Sequence, residues 1–573
     1  MIHPARHAVI LGGVVVVALG LIWRAMDLQV LSNDFLQDQG DARSLRVISL
    51  AANRGTISDR NGEPLALSTP VDSVWVNPGQ LQINSEQWRR LAHLLKTPVD
   101  ELQKRLASRQ SREFVYLKRH INPDVAQQIM ALKISGVSLQ REYRRYYPAG
   151  EVAAHVIGFT NIDDVGQEGI ELAYDEWLRG HPGSKRVIKD RLGHTVEDVE
   201  SIRVPEAGKD LMLTIDRRLQ YLAYRELKTA MRQDKAHSGS VVILDILTGE
   251  VLAAVNGPSY NPNNRSTLQR GATRNRAVTD VFEPGSTIKP FTVAAALEAG
   301  TIRSRSVIDT NPGMFRVGNK SVRDERNYGV IDIATIIKKS SNVGASKIAL
   351  GVPPEKMWDL FRQVGFGAAT GSGFPGEASG LLTSFQGWND VERATLSYGY
   401  GLSVTTLQLA RAYAMLANGG RLMPVSFVAS DAGRQSPIQV MSARNAHNVL
   451  TMLETVTADG GTGELARVPG YRVAGKTGTV QKYTAGGYSD ENYVSLFAGI
   501  APASDPRLVT VVMINDPGND EYYGGRIAAP VFSRVMAGAL RMLGIPPDDV
   551  KPTIRGASAD QDQRQAERGG HDA

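Results

Sequence analysis

The stretch Glu283-Pro284-Gly285-Ser286-Thr287-Ile288-Lys289-Pro290, followed by Phe291–Gly300 (FTVAAALEAG), decides how this chain is read. Pro-Gly forces a turn, and the Ala-rich run after it is helical until Gly300 stops it. Ser286 therefore sits at a helix N-terminus, where unpaired N–H groups and the helix dipole favour developing negative charge. Lys289, three residues on, shares a face with it. Pro290 is tolerated because first-turn amides have no intrahelical partner. The bland alternative is a serine that only caps the helix. No other lysine in the chain follows a serine by three residues. There is also no G-x-S-x-G elbow, which leaves a Ser–His–Asp hydrolase without local support.

On either side of this stretch the texture is that of one sheet assembled from both ends of a domain. Asp216 can cap a helix whose Leu219, Leu222, Leu227 and Met231 fall on one stripe. Ser240–Leu247 and Glu250–Val255 form an apolar hairpin around Thr248-Gly249. Far downstream, Tyr493–Ile500 and Leu508–Ile514 read as a second strand pair, followed by a helix over Ala528–Leu543. Strands early and late with helices between them predict an antiparallel sheet covered by helices, an α+β domain over 206–545.

Two further stretches lie inside that domain. Ser340-Ser341-Asn342 follows Ile331–Lys339, a run that can be helical. Alone it is ordinary loop material. Gly475-Lys476-Thr477-Gly478-Thr479 lies 136 residues after Ser340, which itself lies 54 after Ser286. Gly470–Thr477 also satisfies G-x-x-x-x-G-K-[ST], the phosphate-cradling loop. A phosphate loop joins a strand to a helix. Here Pro469 precedes it, with no apolar strand before, and GTVQKYTAGG after it is β-like and then flexible. Nucleotide binding is set aside.

Composition bounds the remainder. The chain has 573 residues, too many for one compact domain, with 42% apolar and 22% charged residues, enough to bury a core. A net charge of +6 is mild at this length and gives no nucleic-acid footprint. With no cysteine, disulfide scaffolds, thiol nucleophiles and Fe–S clusters are excluded. Ten scattered His without ligand spacing predict no metal, and nothing calls for a cofactor.

Between Arg6 and Arg24 lie 17 residues without a full charge, about 26 Å of helix at ~1.5 Å per residue. Hydrophobicity runs past the poor cleavage match Ala18-Leu19-Gly20, which favours an uncleaved anchor over a cleaved signal peptide. A single span places the bulk of the chain on one side. Arg24 and Asp27 can pair beyond it. Residues 25–205 read as a mixed, Arg-rich domain: Asp59-Arg60-Asn61-Gly62 is a turn, and 86–134 is amphipathic and helical, with Trp88, Leu91, Leu94 and Leu95 on one face. Val204–Gly208 reads as a linker, and the polar tail over 546–573 reads as disordered.

The order S-x-x-K, S-x-N, K-[ST]-G resembles the penicillin-binding proteins and serine β-lactamases. Arg54–Gly62, Arg141–Phe159 and Gly166–Glu171 resemble signatures of the class B high-molecular-weight penicillin-binding proteins, of the division type. The resemblance covers about residues 8–545. It implies a transpeptidase-like fold above a non-catalytic pedestal and a membrane anchor. It implies a peptidoglycan D,D-transpeptidase working through a serine acyl-enzyme in septal wall synthesis. Ser286 would be nucleophile, Lys289 its base when neutral and Ser340 a proton relay. Asn342 would hold the substrate amide, and Lys476, Thr477 and Thr479 a terminal carboxylate. The backbone N–H groups of Ser286 and Thr479 would form the oxyanion hole. Gly478 lies within the third motif, and Tyr400, Tyr522 and Tyr523 resemble surroundings of the site, although tyrosines are more often packing residues.

The implied partners are peptidoglycan stem peptides, β-lactams as covalent inhibitors, a SEDS-type glycan polymerase and other division membrane proteins. The implied place is a bacterial inner membrane with the bulk in the periplasm. A specialised paralogue, an elongation-type relative, a β-lactamase and a β-lactam sensor are the alternatives.

Overall fold

In the computed structural model, residues 4–31, 45–189, 195–266, 268, 271–429, 436–484 and 486–549 are described. A five-stranded sheet organises the larger half, in the order Val251–Gly257, Ser238–Asp245, Leu508–Asn515, Gly487–Ala501, Ala474–Thr484. Every pairing is antiparallel, and early and late strands meet where Ser238–Asp245 runs against Leu508–Asn515. The sequence-expected hairpins are therefore both present. Their strands are buried on both faces, so they read as continuous apolar runs.

Helices Arg217–Gln233 and Gly524–Met542 cover one face, building a core from Leu219, Leu227, Val241, Phe532 and Val535. Asp216 caps the first of them, its carboxylate accepting from Arg218 N at 2.9 Å. The last helix begins four residues before the expected Ala528, because Gly524-Gly525 already follow its turn. On the other face lie Thr406–Ala417, Lys289–Glu298 and Ala443–Glu454. The strand Ala474–Thr484 is the open edge of the sheet.

The smaller half is built around the long strand Pro64–Val76, which pairs with Val115–Ile121 and Val137–Tyr146. The helical reading of 86–134 is corrected here. Helices Ser85–Leu95, Val99–Ala107 and Pro123–Ala131 are present, with Trp88, Leu91, Leu94 and Leu95 in or against their core. Residues 115–121 between them form a strand whose Val115, Leu117 and Ile121 point inward. The period of two in Val115-Tyr116-Leu117 was hidden by the longer helical pattern around it.

The expected linker is also built in. Glu206 bridges to His181, Gly208 N donates to Asn53 O at 2.8 Å, and Leu211–Met212 pairs with Ile57–Ser58. The turn at Asp59 joins the halves, since its carboxylate accepts from Asn61 N at 2.8 Å and from Arg217 N at 3.1 Å. A buried knot lies beside it: Glu171 takes Arg54 Nε at 2.7 Å and Arg145 Nε at 2.6 Å, and Arg54 also reaches Asp175 at 2.8 Å. One apolar core runs through the junction, from Ile57, Leu65 and Ile170 to Leu244 and Phe291.

Helix Pro4–Met26 carries the N-terminal apolar run, and the span Ala8–Gln29 is long and apolar enough to cross a membrane, with none of it buried against protein. Arg24 and Asp27 pair at 2.5 Å. The expectation for the tail from 550 onward lies outside the described residues.

Candidate active site

Ser286 sits in the single turn Gly285–Ile288 that leads into helix Lys289–Glu298. Its side chain caps neither, so the capping alternative does not describe this serine. The turn is held by others: Thr287 Oγ1 donates to Pro284 O at 2.6 Å and Tyr413 OH donates to Thr287 O at 2.8 Å. Gly285 has φ +52, a conformation glycine adopts without cost. Ser286 itself is half-buried and faces a cavity of about 510 Å³.

The Lys289 amine is completely buried and lies 2.9 Å from Ser286 Oγ, 2.6 Å from Ser340 O, 2.7 Å from Asn342 Oδ1 and 3.1 Å from Ser340 Oγ. Burial, and then the like charge of Lys476, hold it well below the ordinary lysine range, with Asp324 acting the other way. A neutral amine beside a hydroxyl has a lone pair to accept its proton. Lys476 is equally buried. Its amine reaches Ser340 Oγ at 3.0 Å and Thr477 O at 3.1 Å, and burial brings it down to about 7.

Ser340 follows helix Ile333–Lys339 and takes the left-handed conformation, φ +60, before Ser341 caps helix Asn342–Leu350. That tight turn aims its hydroxyl between the two amines. Asp324, which the sequence reading missed, fixes the turn. Its carboxylate accepts from Ser341 Oγ and Asn342 N, both at 2.6 Å, and from Val343 N at 3.0 Å. No local pattern marks it. It arrives because the hairpin Met314–Val317 and Lys320–Arg323 folds back onto the helix start.

The third motif lies on the edge strand, as the resemblance implies, and this strand context removes the phosphate-loop reading of 470–477. Gly478 lets the strand lie against the Ser286 turn: a Cβ there would stand 3.0 Å from Thr287 Cγ2 and 3.2 Å from Pro284 O. Thr477 Oγ1 lies 2.8 Å from Thr462 Oγ1, a partner the sequence reading also missed. Gly524 N donates to Thr479 Oγ1 at 2.9 Å, tying the last helix to the motif. Thr477 and Thr479 line the cavity with Ser286, Ser340 and Asn342.

The tyrosines divide. Tyr523 lines the cavity, but Tyr522 stacks between Tyr493 and Tyr523, with ring centroids at 4.0 and 4.8 Å. Tyr400 packs edge-on to Tyr398 and Tyr488, and its hydroxyl accepts from Gln481 N at 3.4 Å. Tyr400 and Tyr522 are not among the cavity's lining residues.

A serine hydroxyl beside a buried lysine amine, a second hydroxyl between two such amines and a lysine on an edge strand form an arrangement suited to serine acyl transfer. The family described as penicillin binding protein transpeptidase domain matches residues 239–537, and that described as penicillin-binding protein dimerisation domain matches 49–213. The chain belongs to the penicillin-binding protein transpeptidase family, in its class B form with a pedestal. Peptidoglycan D,D-transpeptidase FtsI of Escherichia coli K12 is 45% identical over 549 residues, covering 95% of this chain and 92% of that protein. Probable peptidoglycan D,D-transpeptidase PenA of Neisseria meningitidis is 42% identical, covering 96% and 94%. Among solved structures, penicillin binding protein 3 of Mycobacterium tuberculosis complexed with aztreonam has a TM-score of 0.69 at 29% identity, covering 87% of this chain and 98% of that one.

Proposed function

We infer that this chain is a peptidoglycan D,D-transpeptidase that cross-links stem peptides through an acyl-enzyme on Ser286, in septal wall synthesis. The observation that carries the reading is the 2.9 Å approach of the buried, low-pKa Lys289 amine to Ser286 Oγ. Neutral Lys289 takes the Ser286 proton as Oγ attacks the carbonyl of the penultimate D-Ala. The oxyanion forms against the N–H groups of Ser286 and Thr479. Collapse breaks the peptide bond, and the leaving D-Ala amine receives its proton through Ser340. The amine of a second stem then attacks the ester, and the proton returns along the same path to free Ser286. Lys476, Thr477 and Thr479 hold the terminal carboxylate, and Asn342 the donor amide. A β-lactam follows the first half only, because the opened ring keeps its leaving amine tethered.

The apolar helix Pro4–Met26 supports a membrane anchor, with the catalytic bulk in the periplasm. A SEDS-type polymerase and other division proteins are the proposed partners at the anchor and pedestal.

The test is mass spectrometry after exposure to penicillin. The adduct is expected on the peptide containing Ser286 and decays slowly. In Ser286→Ala it vanishes while the fold persists. An adduct on another serine overturns the assignment, and rapid regeneration of free enzyme marks a β-lactamase instead.

A further inference from the structure

In the transpeptidase reading, Thr477 helps to hold the terminal carboxylate of the substrate. Its buried side chain meets two groups of the protein: the Lys476 amine at 3.5 Å and Thr462 Oγ1 at 2.8 Å. A hydroxyl has one hydrogen and two lone pairs. The amine donates and takes one lone pair. Between the two threonines either hydroxyl can donate. If Thr477 donates, its hydrogen is spent inside the protein and a lone pair faces the cavity. If Thr462 donates, both lone pairs of Thr477 are filled and its hydrogen is free. Only the second arrangement suits an anion.

Thr462 is mounted to serve in this way. It is the one residue of the run Gly460-Gly461-Thr462-Gly463 with a side chain beyond hydrogen, and that side chain lines the catalytic cavity. Gly461 N donates to Ala458 O and Gly463 N to Val456 O, both at 2.9 Å. A Cβ on Gly461 would stand 2.0 Å from Val456 O, so the loop closes tightly behind the threonine. On its other side, a Cβ on Gly525 would stand 2.2 Å from Thr462 O, which seats the loop on the start of the last helix. Lys339, the neighbour of Ser340, donates to Gly460 O at 2.5 Å and ties the loop across the cavity. Among the described residues, the Thr462 hydroxyl meets Thr477 and no other group. Neither the loop nor the short helix Glu464–Ala466, whose cap residue is Gly463, uses it.

We propose that Thr462 is a positioning residue for carboxylate recognition, donating to Thr477 Oγ1 so that Thr477 turns its own hydrogen onto the ligand. The proposal rests on the D,D-transpeptidase reading and adds a residue outside the three motifs to its substrate recognition. The bound chain runs from Thr462 through Thr477 to the carboxylate, each hydrogen bond polarising the next. Without the first donor, Thr477 keeps its hydrogen but loses the partner that fixes its direction.

The experiment uses the full chain in detergent, with benzylpenicillin and its neutral methyl ester as probes. Adduct formation is followed by the mass of the intact protein. The readout is the ratio of the two acylation rate constants, acid over ester, so that a general loss of activity cancels. Thr462→Val keeps the shape and removes the donor, and it lowers the ratio by about fivefold. The loss lies in the concentration needed for half-maximal acylation and not in the limiting rate. Thr462→Ser keeps the hydroxyl and retains most of the ratio, and Thr462→Ala repeats the loss without the bulk of valine. A ratio unchanged in Thr462→Val and Thr462→Ala, including an equal loss with both probes, overturns the proposal. So does a Thr462→Ser ratio as low as that of Thr462→Val. If Thr477→Val leaves the ratio at its wild-type value, the carboxylate is not held by Thr477 and the parent assignment fails. Absence of any penicillin adduct on wild-type Ser286 overturns the acyl-enzyme reading itself.

Discussion

Lys476 Nζ stands 3.0 Å from Ser340 Oγ, and that same hydroxyl lies 3.1 Å from Lys289 Nζ. One serine bridges two buried amines that can be at most about 6 Å apart. At an effective dielectric near 20, two charges at that distance repel by about 3 kcal/mol. The pair therefore holds one proton more readily than two, and the like charge of Lys476 adds to burial in pulling Lys289 well below the ordinary lysine range. The two amines, sharing one hydroxyl, form one coupled unit.

That coupling fixes the sign of a pH experiment. With Lys289 as the proposed base, acylation needs its amine neutral, so the expected rate falls on the acid side as Lys289 gains a proton. Lys476→Ala removes the repulsion, raises Lys289 and moves the acid limb upward by about one to two pH units. Lys476→Arg keeps the charge and leaves the limb in place. It also slows acylation by carboxylate-bearing β-lactams far less than Lys476→Ala does, despite its different donor geometry. Rates of fluorescent-penicillin labelling between pH 5 and 9 decide the matter. An acid limb that stays put in Lys476→Ala removes Lys289 from the role of base. For stability, an amine depressed to about 7 makes folding costlier below that pH and relieves the cost as pH rises toward ~10.4. The stability gained by Lys476→Met should accordingly shrink across that window.

Asp324 supplies a second test. Removing its carboxylate leaves Ser341 Oγ, Asn342 N and Val343 N without their acceptor. Asp324→Ala should cost about 2–3 kcal/mol and slow acylation by at least about tenfold, because the Ser340 turn loses its anchor. Asp324→Asn keeps one acceptor and falls between. Thermal denaturation and penicillin labelling on the same samples measure both, and full acylation in a destabilised Asp324→Ala would reduce the residue to a helix cap.

Much of this was legible because short-range chemistry carried it. Gly285 before Ser286 and the Ala-rich run after it encode their turn and helix locally. The apolar runs at 238–255 and 493–514 are long enough to be strands wherever they pair. The strand Val115–Ile121 was lost to the helical periodicity on both sides of it. Asp324 and Thr462 were invisible for another reason: each acts on a partner 15 or more residues away, and a lone Asp or Thr in a loop carries no pattern.

The anchor should be dispensable for chemistry. None of the span Ala8–Gln29 is buried against protein, and the three motifs all lie after residue 280. The sheet strand Leu45–Leu50 pairs with Gly183–Lys189, so the cut belongs before residue 45. A chain of residues 40–573 is expected to be soluble and to label with penicillin at the rate of the full chain in detergent. If it aggregates or is inert while the full chain reacts, the separation of anchor from enzyme is wrong.

The buried knot at the junction tests how far the pedestal and the catalytic half fold as one. Glu171 has no exposure and carries both Arg54 and Arg145, so Glu171→Gln strands guanidinium charge in a dry site. Breaking such a pair costs about 3–5 kcal/mol. The core beside it is continuous from Ile57 and Ile170 into Phe291, whereas the lower lobe around Val74, Leu91 and Leu117 has a core of its own. The loss should therefore appear in the temperature at which penicillin binding is lost, although Glu171 touches no catalytic residue. Replacing the trio together (Arg54→Met, Arg145→Met, Glu171→Leu) should recover part of it, since apolar packing removes the stranded charge. Were Glu171→Gln to lower only a separate pedestal transition and leave the loss of penicillin binding at its wild-type temperature, the shared core would not couple the two halves.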